Sequence, residues 1–301
     1  GIYHADMYLC PGALESVLEH IKPLTVVSLT RIEPPLHPNG PEKLLMDFGI
    51  EPEQFVELED DLLHQIPSLK QGKTTEGIFA PWFLFKEDFT SIGGHDPLYA
   101  PQSKEDSDIF NRFLLNGYNF IQTWDGFVYH MTCRGSRFNP TLTTPGQNSN
   151  EWEAQNIRST RNFIRKWGHF VKHDPLMKPV VPHKYNVEFV VTNCQAQHLQ
   201  LLEPWCDRMS VDCSQDLINQ YIESEQPNTK FNLGKKLNMN EKSDIIVEFD
   251  ALRLNNNSFQ FIQNLSQIFD FNNFDSGEYE FDIFKVKVSQ VKHYEMNLIN
   301  L

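Results

Sequence analysis

KEDSDIFNRFLLNGY, residues 104–118, places acidic residues at the head of a patterned segment that ends in a glycine. Its apolar residues recur at helical spacing, at Ile109, Phe110, Phe113 and Leu114. Ser103 and Asp106 stand three apart, which predicts a capping box, and Gly117 is placed to end the helix. A structural role at the helix N-terminus could by itself explain Glu105 and Asp106, but it is compatible with catalysis, because a helix N-terminus also fixes the position of a carboxylate.

Upstream of this helix, the chain predicts a helix and two buried strands. Gly12–Lys22 is patterned as a helix that buries Leu14, Val17, Leu18 and Ile21, and Pro23 ends it. Residues 24–29 and 77–85 are apolar enough to be buried strands, and residues 32–76 between them predict loops with short helices. The sequence FTSIGGHD, residues 89–96, then predicts a tight Gly-Gly turn.

Downstream of residue 117, we expect short strands at 118–123 and 127–129 around an Asp125-Gly126 turn. His130 then stands at a strand end. Residues 134–150 predict a long loop. A helix follows, with Ile157, Ile164, Trp167 and Val171 along one face.

A Pro-rich linker at 179–184 separates residues 1–178 from 185–301. The last part alternates strand (185–192, 244–252 and from Glu278) with helix (197–209 and 258–269), as in a small two-layer α/β domain.

Composition excludes several classes of protein. The 301 residues carry a net charge of −14, so the chain lacks the basic excess that nucleic acid binding requires. No apolar run approaches the roughly 20 residues of a membrane span. Five cysteines without a C-x-x-C pair fit neither a disulfide framework nor a zinc knuckle. We therefore expect a protein of a reducing compartment, the cytoplasm.

One basic stretch departs from this acidic background. Residues 126–173 hold seven Lys and Arg residues, Arg134 and Arg137 among them, but only two glutamates, Glu151 and Glu153. Arginine forks suit bidentate contacts to phosphate, so this stretch is a candidate to hold a diphosphate. A helix with a basic, solvated outer face is the alternative interpretation.

Taken in order, these segments resemble glycosyltransferase family 2, the inverting enzymes of GT-A fold, from residue 1 to about residue 178. HADMYLCPGAL (residues 4–14) is similar to the strand end with the D-x-D metal motif and its following helix. GGHDPLY (93–99) resembles the acceptor-side G-G-F-D-E turn, and residues 104–118 resemble the E-D-x-D-x-x-x-R helix. Tyr129-His130 and NFIRKWG (162–168) are similar to the late histidine and the F-x-x-K-W-G segment.

The resemblance implies an α/β protein with a GT-A-type mixed sheet flanked by helices. It implies metal-assisted, inverting transfer of a sugar from a nucleotide-sugar donor, such as a UDP-sugar, to a hydroxyl of a glycan or other acceptor. Asp6 and His130 would bind Mn²⁺ or Mg²⁺, and Asp106 would be the general base, oriented by Glu105. The remaining site residues fall into two groups. For the acceptor these are Trp82, Gly93, Gly94, His95 and Asp96, and for the diphosphate Arg134 and Arg137, on a loop that closes over the donor.

Three departures from the family pattern keep other interpretations open. His4 stands where a second aspartate is common, His95 replaces a phenylalanine, and we expect the nucleotide-binding strands to precede residue 1. A non-catalytic carbohydrate- or protein-binding scaffold with this fold is one alternative. A metal-dependent hydrolase that uses Asp6, His130 and Asp106 is another.

Overall fold

A computed structural model describes residues 1–36, 38–131, 148–238, 243–272 and 274–295. The chain divides into two compact units. Unit 1 comprises Gly1–Asp96, Glu105–Gln155 and Lys172–Val180, and unit 2 comprises Pro97–Lys104, Asn156–Val171 and Val181–Leu301. Each unit has its own mixed sheet flanked by helices, so the protein belongs to the mixed α/β class.

The sheet of unit 1 has the strand order β1-β6-β2-β3, with β4 paired to β6 and β5 paired to β2. Strands β6, β2 and β3 are parallel, whereas β1, β4 and β5 each pair antiparallel with a neighbour. All nine residues of β2 are buried, as expected for a central strand covered on both faces. The strands are β1 Met7–Leu9, β2 Thr25–Glu33, β3 Lys43–Leu45, β4 Thr74–Thr75, β5 Trp82–Phe83 and β6 Asn119–His130.

Helices supply the apolar cover of this sheet. The helices of unit 1 are α1 Ala13–His20, α2 Pro52–Leu69, α3 Lys86–Ser91, α4 Glu105–Leu115 and the first residues of α5 Asn150–Trp167. One core cluster lies against α4 and includes Trp82, Ile109 and Phe113. A second cluster joins α2 to β6 through Phe55 and Tyr129, whose rings stack with centroids 5.1 Å apart.

Unit 2 is built on a second sheet with the strand order β10-β11-β9-β7-β8. Strands β7, β8 and β9 are parallel, and the hairpin β10–β11 runs antiparallel to β9. The strands are β7 Val187–Thr192, β8 Arg208–Val211, β9 Ile245–Asp250, β10 Gly277–Phe281 and β11 Phe284–Val288. The helices are α6 Ala196–Leu202, α7 Gln215–Glu225, α8 Leu233–Asn238, α9 Asn256–Gln263 and α10 Leu265–Phe271, with the end of α5.

Several predicted elements are confirmed. The helices at α1, α4 and α5, the central strand at β2, and the strands at β7 and β9 all form. Within α1 the predicted face is partly wrong, because Val17 is buried whereas Leu14 and Leu18 are 50% and 71% exposed. Within α5, Ile164 and Trp167 are buried but Ile157 is exposed.

The prediction of loops with short helices at 32–76 is wrong, because this segment contains the 18-residue helix α2. Pro52 opens the helix and a capping box joins Glu51 to Gln54. The buried residues Phe55, Leu62 and Ile66 follow at spacings of seven and four, which is helical periodicity. The many acidic residues between them obscure this pattern in the sequence.

The predicted Asp125-Gly126 hairpin turn is also wrong. Residues 119–130 form one strand, and the register with β2 jumps from Leu29↔Thr123 to Thr30↔Phe127. The intervening residues therefore form a bulge rather than a reversal of the chain. Gly126 is required there because a Cβ at this position would lie 2.7 Å from the Leu29 side chain.

The predicted capping box at α4 does not form. Ser103 and Lys104 have φ angles of 78° and 74°, which an N-cap residue does not adopt. The Ser103 hydroxyl instead donates to Asn156 Oδ1 at 2.8 Å. The predicted strand at 77–85 is likewise reduced to Trp82–Phe83.

In unit 2, three predicted elements change. The predicted helix at 197–209 ends at Leu202, and Met209 belongs to β8. The predicted helix at 258–269 is divided at Asn264 into α9 and α10. The strand expected from Glu278 turns back on itself as the hairpin β10–β11, and helices α7 and α8 were not predicted.

Candidate metal centre

Adjacent strand ends position the residues of this site. β1 runs antiparallel to β6 with Met7 opposite His130, and the Met131 N–H donates to the Asp6 carbonyl at 3.0 Å. This pairing sets Asp6 beside the end of β6. β2 runs parallel to β6 with Ile32 opposite Tyr129, so Glu33 ends next to His130.

Three side chains converge here. A ring nitrogen each of His4 and His130 and a carboxylate oxygen of Asp6 all lie within 4.8 Å of one another. His130 Nε2 is 3.5 Å from Asp6 Oδ1. Bonds of about 2.0–2.2 Å to one ion would place the ligand atoms roughly 3.0–3.6 Å apart, so small side-chain rotations suffice to close the set.

A network of buried charged residues contacts His130 through Glu33. Glu33, whose side chain is 1% exposed, accepts from Arg31 Nη1 and from Lys43 Nζ, both at 2.9 Å. Arg31 also donates to Glu42 at 3.2 Å. The fourth contact of the network joins Glu33 Oε1 to His130 Nδ1 at 2.8 Å.

Electrostatics fixes the tautomer of His130. Burial by itself raises the pKa of Glu33, but the hydrogen bond with His130 and the charge of Arg31 outweigh burial and lower it to about 2. An ionised carboxylate only accepts hydrogen bonds, so Nδ1 of His130 carries the proton. The lone pair of neutral His130 therefore lies on Nε2, which faces Asp6.

Contact between Asp6 and His130 also lowers the pKa of the aspartate and raises the pKa of the histidine. Burial raises the pKa of Asp6, but its contact with His130 outweighs burial and lowers it. Burial lowers the pKa of His130, but its contacts with Asp6 and Glu33 raise it. A carboxylate and a ring lone pair that face each other need a cation between them, either a proton or a metal ion.

Asp106 lies at the edge of this cluster. Its Oδ2 is 3.6 Å from His4 Nε2, and its side chain is 27% exposed. It sits in the first turn of α4 with Glu105, and the structure thus brings together Asp6, His130 and Asp106 of the predicted residues.

Hydrogen bonds join the Gly-Gly turn to α4. Arg112 donates to the carbonyls of Ile92 and Gly94, both at 2.6 Å, and to Asp108 Oδ2 at 2.9 Å. Asp108 is fully buried and Arg112 is buried, so the arginine side chain links the turn to the helix in the protein interior. Gly94 has a φ of 64°, the left-handed region that glycine adopts readily.

The other predicted residues take different positions. Trp82 has no exposed surface and packs in the core, with its ring 5.9 Å from that of His95. His95 and Asp96 are half-buried on the turn that follows Gly93. Arg134 and Arg137 lie outside the described residues.

The sequence interpretation missed His4 as a candidate ligand and the network of Arg31, Glu33, Glu42 and Lys43. The sequence interpretation treated His4 only as a replacement for the second aspartate of the metal motif, although imidazole is itself a common metal ligand. Glu33 carried a usable signal, because a carboxylate that ends a buried apolar strand must find partners.

Neither a protein-family model nor a curated protein matches this chain, so the resemblance to glycosyltransferase family 2 depends on its motifs alone. Among the described residues, no helix is both long and apolar enough to span a bilayer. The described cysteines Cys10, Cys194, Cys206 and Cys213 are free thiols.

Proposed function

We propose that unit 1 is a metal-assisted glycosyltransferase of GT-A type that transfers a sugar with inversion from a nucleotide-sugar donor to a hydroxyl acceptor. The observation that carries the proposal is the convergence of a three-residue ligand set with the Asp106 carboxylate. The resemblance to the family motifs would put Asp6 and His130 near the donor diphosphate and Asp106 near the acceptor hydroxyl, whereas His4 departs from the motif.

His4, Asp6 and His130 fit a divalent cation. The Asp6 oxygen and the His130 Nε2 lone pair face each other, and the Glu33 carboxylate holds His130 in the tautomer that a metal needs. When bound, the cation would neutralise the charge of the departing diphosphate. Two imidazoles and one carboxylate suit Mn²⁺ and other transition metals better than Mg²⁺, which prefers oxygen ligands.

Asp106 is the proposed general base. Its partly exposed carboxylate would accept the proton of the acceptor hydroxyl, while the hydroxyl oxygen forms the new bond to the anomeric carbon and the diphosphate leaves from the opposite face. Its place in the first turn of α4 holds it in position, and Glu105 beside it is the proposed positioning residue.

The turn at Gly93 and Gly94 is the proposed acceptor side. Arg112 of α4, the helix that carries Asp106, donates hydrogen bonds to the carbonyls of Ile92 and Gly94 in this turn. Arg134 and Arg137 stay predicted contacts of the donor diphosphate. The cytoplasm stays the proposed location, on the strength of the free thiols.

Metal-dependent hydrolysis is the second candidate function. Two histidines and one carboxylate form the ligand set of many hydrolytic zinc centres, which leave a coordination position for water. His4 favours this candidate over the aspartate-based motif of the transferase family.

One experiment separates the two functions. The full chain is incubated with Mn²⁺ and a panel of nucleotide sugars, with and without sugar acceptors, and products are followed by mass spectrometry. Transfer that requires an acceptor supports the transferase, and release of free sugar without an acceptor supports the hydrolase. Asp106→Asn should lower the rate by roughly 10²–10⁴, whereas Asp60→Asn on the exposed face of α2 should not. Full activity of Asp106→Asn would refute its role as base.

A further inference from the structure

Two cysteines of unit 2, Cys194 and Cys213, follow neighbouring strands of its sheet and have no part in the function proposed for unit 1. Cys194 stands two residues after the end of β7, and Cys213 stands two residues after the end of β8. The two strands are parallel, with Val191 opposite Val211. Adjacent strands lie about 4.8 Å apart, within the Cα separation of roughly 4.4–6.8 Å that a disulfide spans. The fold therefore brings both cysteines to the same edge of the sheet.

The carboxylate of Asp212 joins the two chain segments that carry these cysteines. It accepts hydrogen bonds from the Asn193 N–H at 2.7 Å and from the Cys194 N–H at 2.9 Å. Asn193 has a φ of 53°, in the left-handed region that asparagine adopts more readily than most residues. Because Asp212 immediately precedes Cys213, these hydrogen bonds hold the backbones of the two cysteines beside each other.

The side chains of the two cysteines are also in contact. Cys194 Sγ lies within hydrogen-bond reach of Cys213 Sγ, and both side chains pack in the same hydrophobic core. Cys194 is only 7% exposed, whereas Cys213 is half-buried and can be reached from solution. Cys206, the other described cysteine of unit 2, instead donates to the Glu203 carbonyl at 3.6 Å. The arrangement thus joins one accessible thiol to one buried thiol.

Burial determines how readily these thiols react. Burial, with smaller contributions from Cys213 and Asp212, raises the pKa of Cys194 to about 12. Burial also raises the pKa of Cys213, although a backbone hydrogen bond and the contact with Cys194 oppose it. The thiolate is the reactive form, so the pair stays reduced until an oxidant is present and then reacts slowly at neutral pH. Cys213 is the more exposed thiol, so an oxidant meets it first.

We propose that Cys194 and Cys213 form a redox modification site, which a small disulfide such as oxidised glutathione converts reversibly into an intramolecular disulfide. The Cys213 thiolate attacks one sulfur of the oxidant, forms a mixed disulfide and releases one glutathione thiolate. The Cys194 thiolate then attacks the Cys213 sulfur and releases the second glutathione thiolate. Each released thiolate takes up a proton that a cysteine has given up. Two protein thiols are thereby oxidised, and one glutathione disulfide is reduced to two thiols.

The disulfide joins the carboxyl ends of β7 and β8 and closes a loop that contains helix α6. A cross-link of this kind stabilises a protein mainly because it restricts the unfolded chain. For a loop of roughly 20 residues in a unit of this size, the melting temperature should rise by roughly 5–10 °C. In a reducing compartment, disulfides of this type are transient and respond to the redox conditions.

The test is incubation of the full chain in buffers that differ in the ratio of oxidised to reduced glutathione. A pH of about 8.5, near the ordinary pKa of a cysteine thiol, gives more thiolate than neutral pH does. Free thiols are then blocked by alkylation, and cross-linked peptides are identified by mass spectrometry. We expect a cross-link between Cys194 and Cys213 whose fraction rises with this ratio and which dithiothreitol reverses. The melting temperature should rise and fall with the cross-link.

Cys206→Ser is the matched control, because it removes a thiol of the same unit and should leave the cross-link intact. Cys194→Ser should retain glutathione on Cys213, whereas Cys213→Ser should leave Cys194 unmodified. Each variant is compared with its own reduced form, and neither of these two should gain in melting temperature on oxidation. Absence of the cross-link from wild type after a day in oxidised glutathione alone would overturn the proposal, as would equal cross-linking to Cys206. Glutathione on Cys194 in Cys213→Ser would overturn the order of attack.

Discussion

Glu33→Gln tests the charge network beneath the candidate metal centre. The substitution keeps the shape of the side chain but removes the charge that Arg31, Lys43 and His130 share. The pKa of Glu33 is about 2 against an ordinary value of 4.5, a difference of about 2.5 pH units. At about 1.36 kcal/mol per unit, the ionised form stabilises the folded state by about 3 kcal/mol.

The sign of the pH dependence follows from the lowered pKa. The folded state favours ionised Glu33. The contribution of this carboxylate to the free energy of unfolding is therefore fully present above pH 4.5, and it is lost as the pH falls toward about 2. Denaturant unfolding at about pH 7 should show Glu33→Gln less stable than wild type by about 3 kcal/mol. At about pH 3 the difference should be much smaller.

Metal binding supplies a second measurement on the same variant. Glu33 holds the Nδ1 proton of His130, and loss of such an outer partner typically costs 10–100-fold in metal affinity. Glu57→Gln, an exposed substitution on α2, is the control for both measurements. If Glu33→Gln differed from wild type by less than about 0.5 kcal/mol at pH 7 and bound Mn²⁺ equally well, the argument from the buried network would be refuted.

Two further predictions concern the same unit. His4→Asp replaces one imidazole by a carboxylate, so the ratio of Mg²⁺ to Mn²⁺ affinity should rise, as measured by calorimetric titration; an unchanged ratio would show that His4 is not a ligand. Gly94→Ala forces a side chain into the left-handed region and places its Cβ 3.1 Å from the Phe89 ring. It should lower unfolding free energy by about 1–2 kcal/mol, and more than Gly72→Ala, where a Cβ would meet no atom within 4 Å; an equal loss would refute the role of the ring contact.

The sequence predicts the elements whose signals are local. Helix α4 and strand β2 are apparent because apolar periodicity and flanking breakers coincide within a few residues. Helix α2 is not apparent, because Phe55, Leu62 and Ile66 are its only buried residues and acidic residues surround them. The N-cap is a glutamate instead of the more common Ser, Thr, Asp or Asn, and Pro67 lies inside the helix instead of ending it.

The sequence predicts a residue of the candidate site only where that residue by itself matches a position of a family motif. Asp6, Asp106 and His130 were found because each matches a motif position. Glu33 could not be assigned a role, since its partner His130 is 97 residues away and only strand pairing brings them together. The bulge in β6 was misread for a similar reason, because a Gly-containing pair predicts a turn unless the strand beside it is known.

That bulge determines which face His130 occupies. Leu29 pairs with Thr123 and Thr30 with Phe127, so one step along β2 corresponds to four steps along β6. Side chains of a regular strand alternate, so Thr123 and Phe127 would share a face, whereas their partners on β2 point to opposite faces. The extra residues correct this mismatch and carry the register on to Ile32 and Tyr129, one position before Glu33 and His130. Without the three extra residues of the bulge, the register of β6 against β2 would shift by three, and an odd shift would turn His130 away from Glu33 and Asp6. The irregularity in the strand is therefore what aligns the histidine with its carboxylate and with the proposed cation.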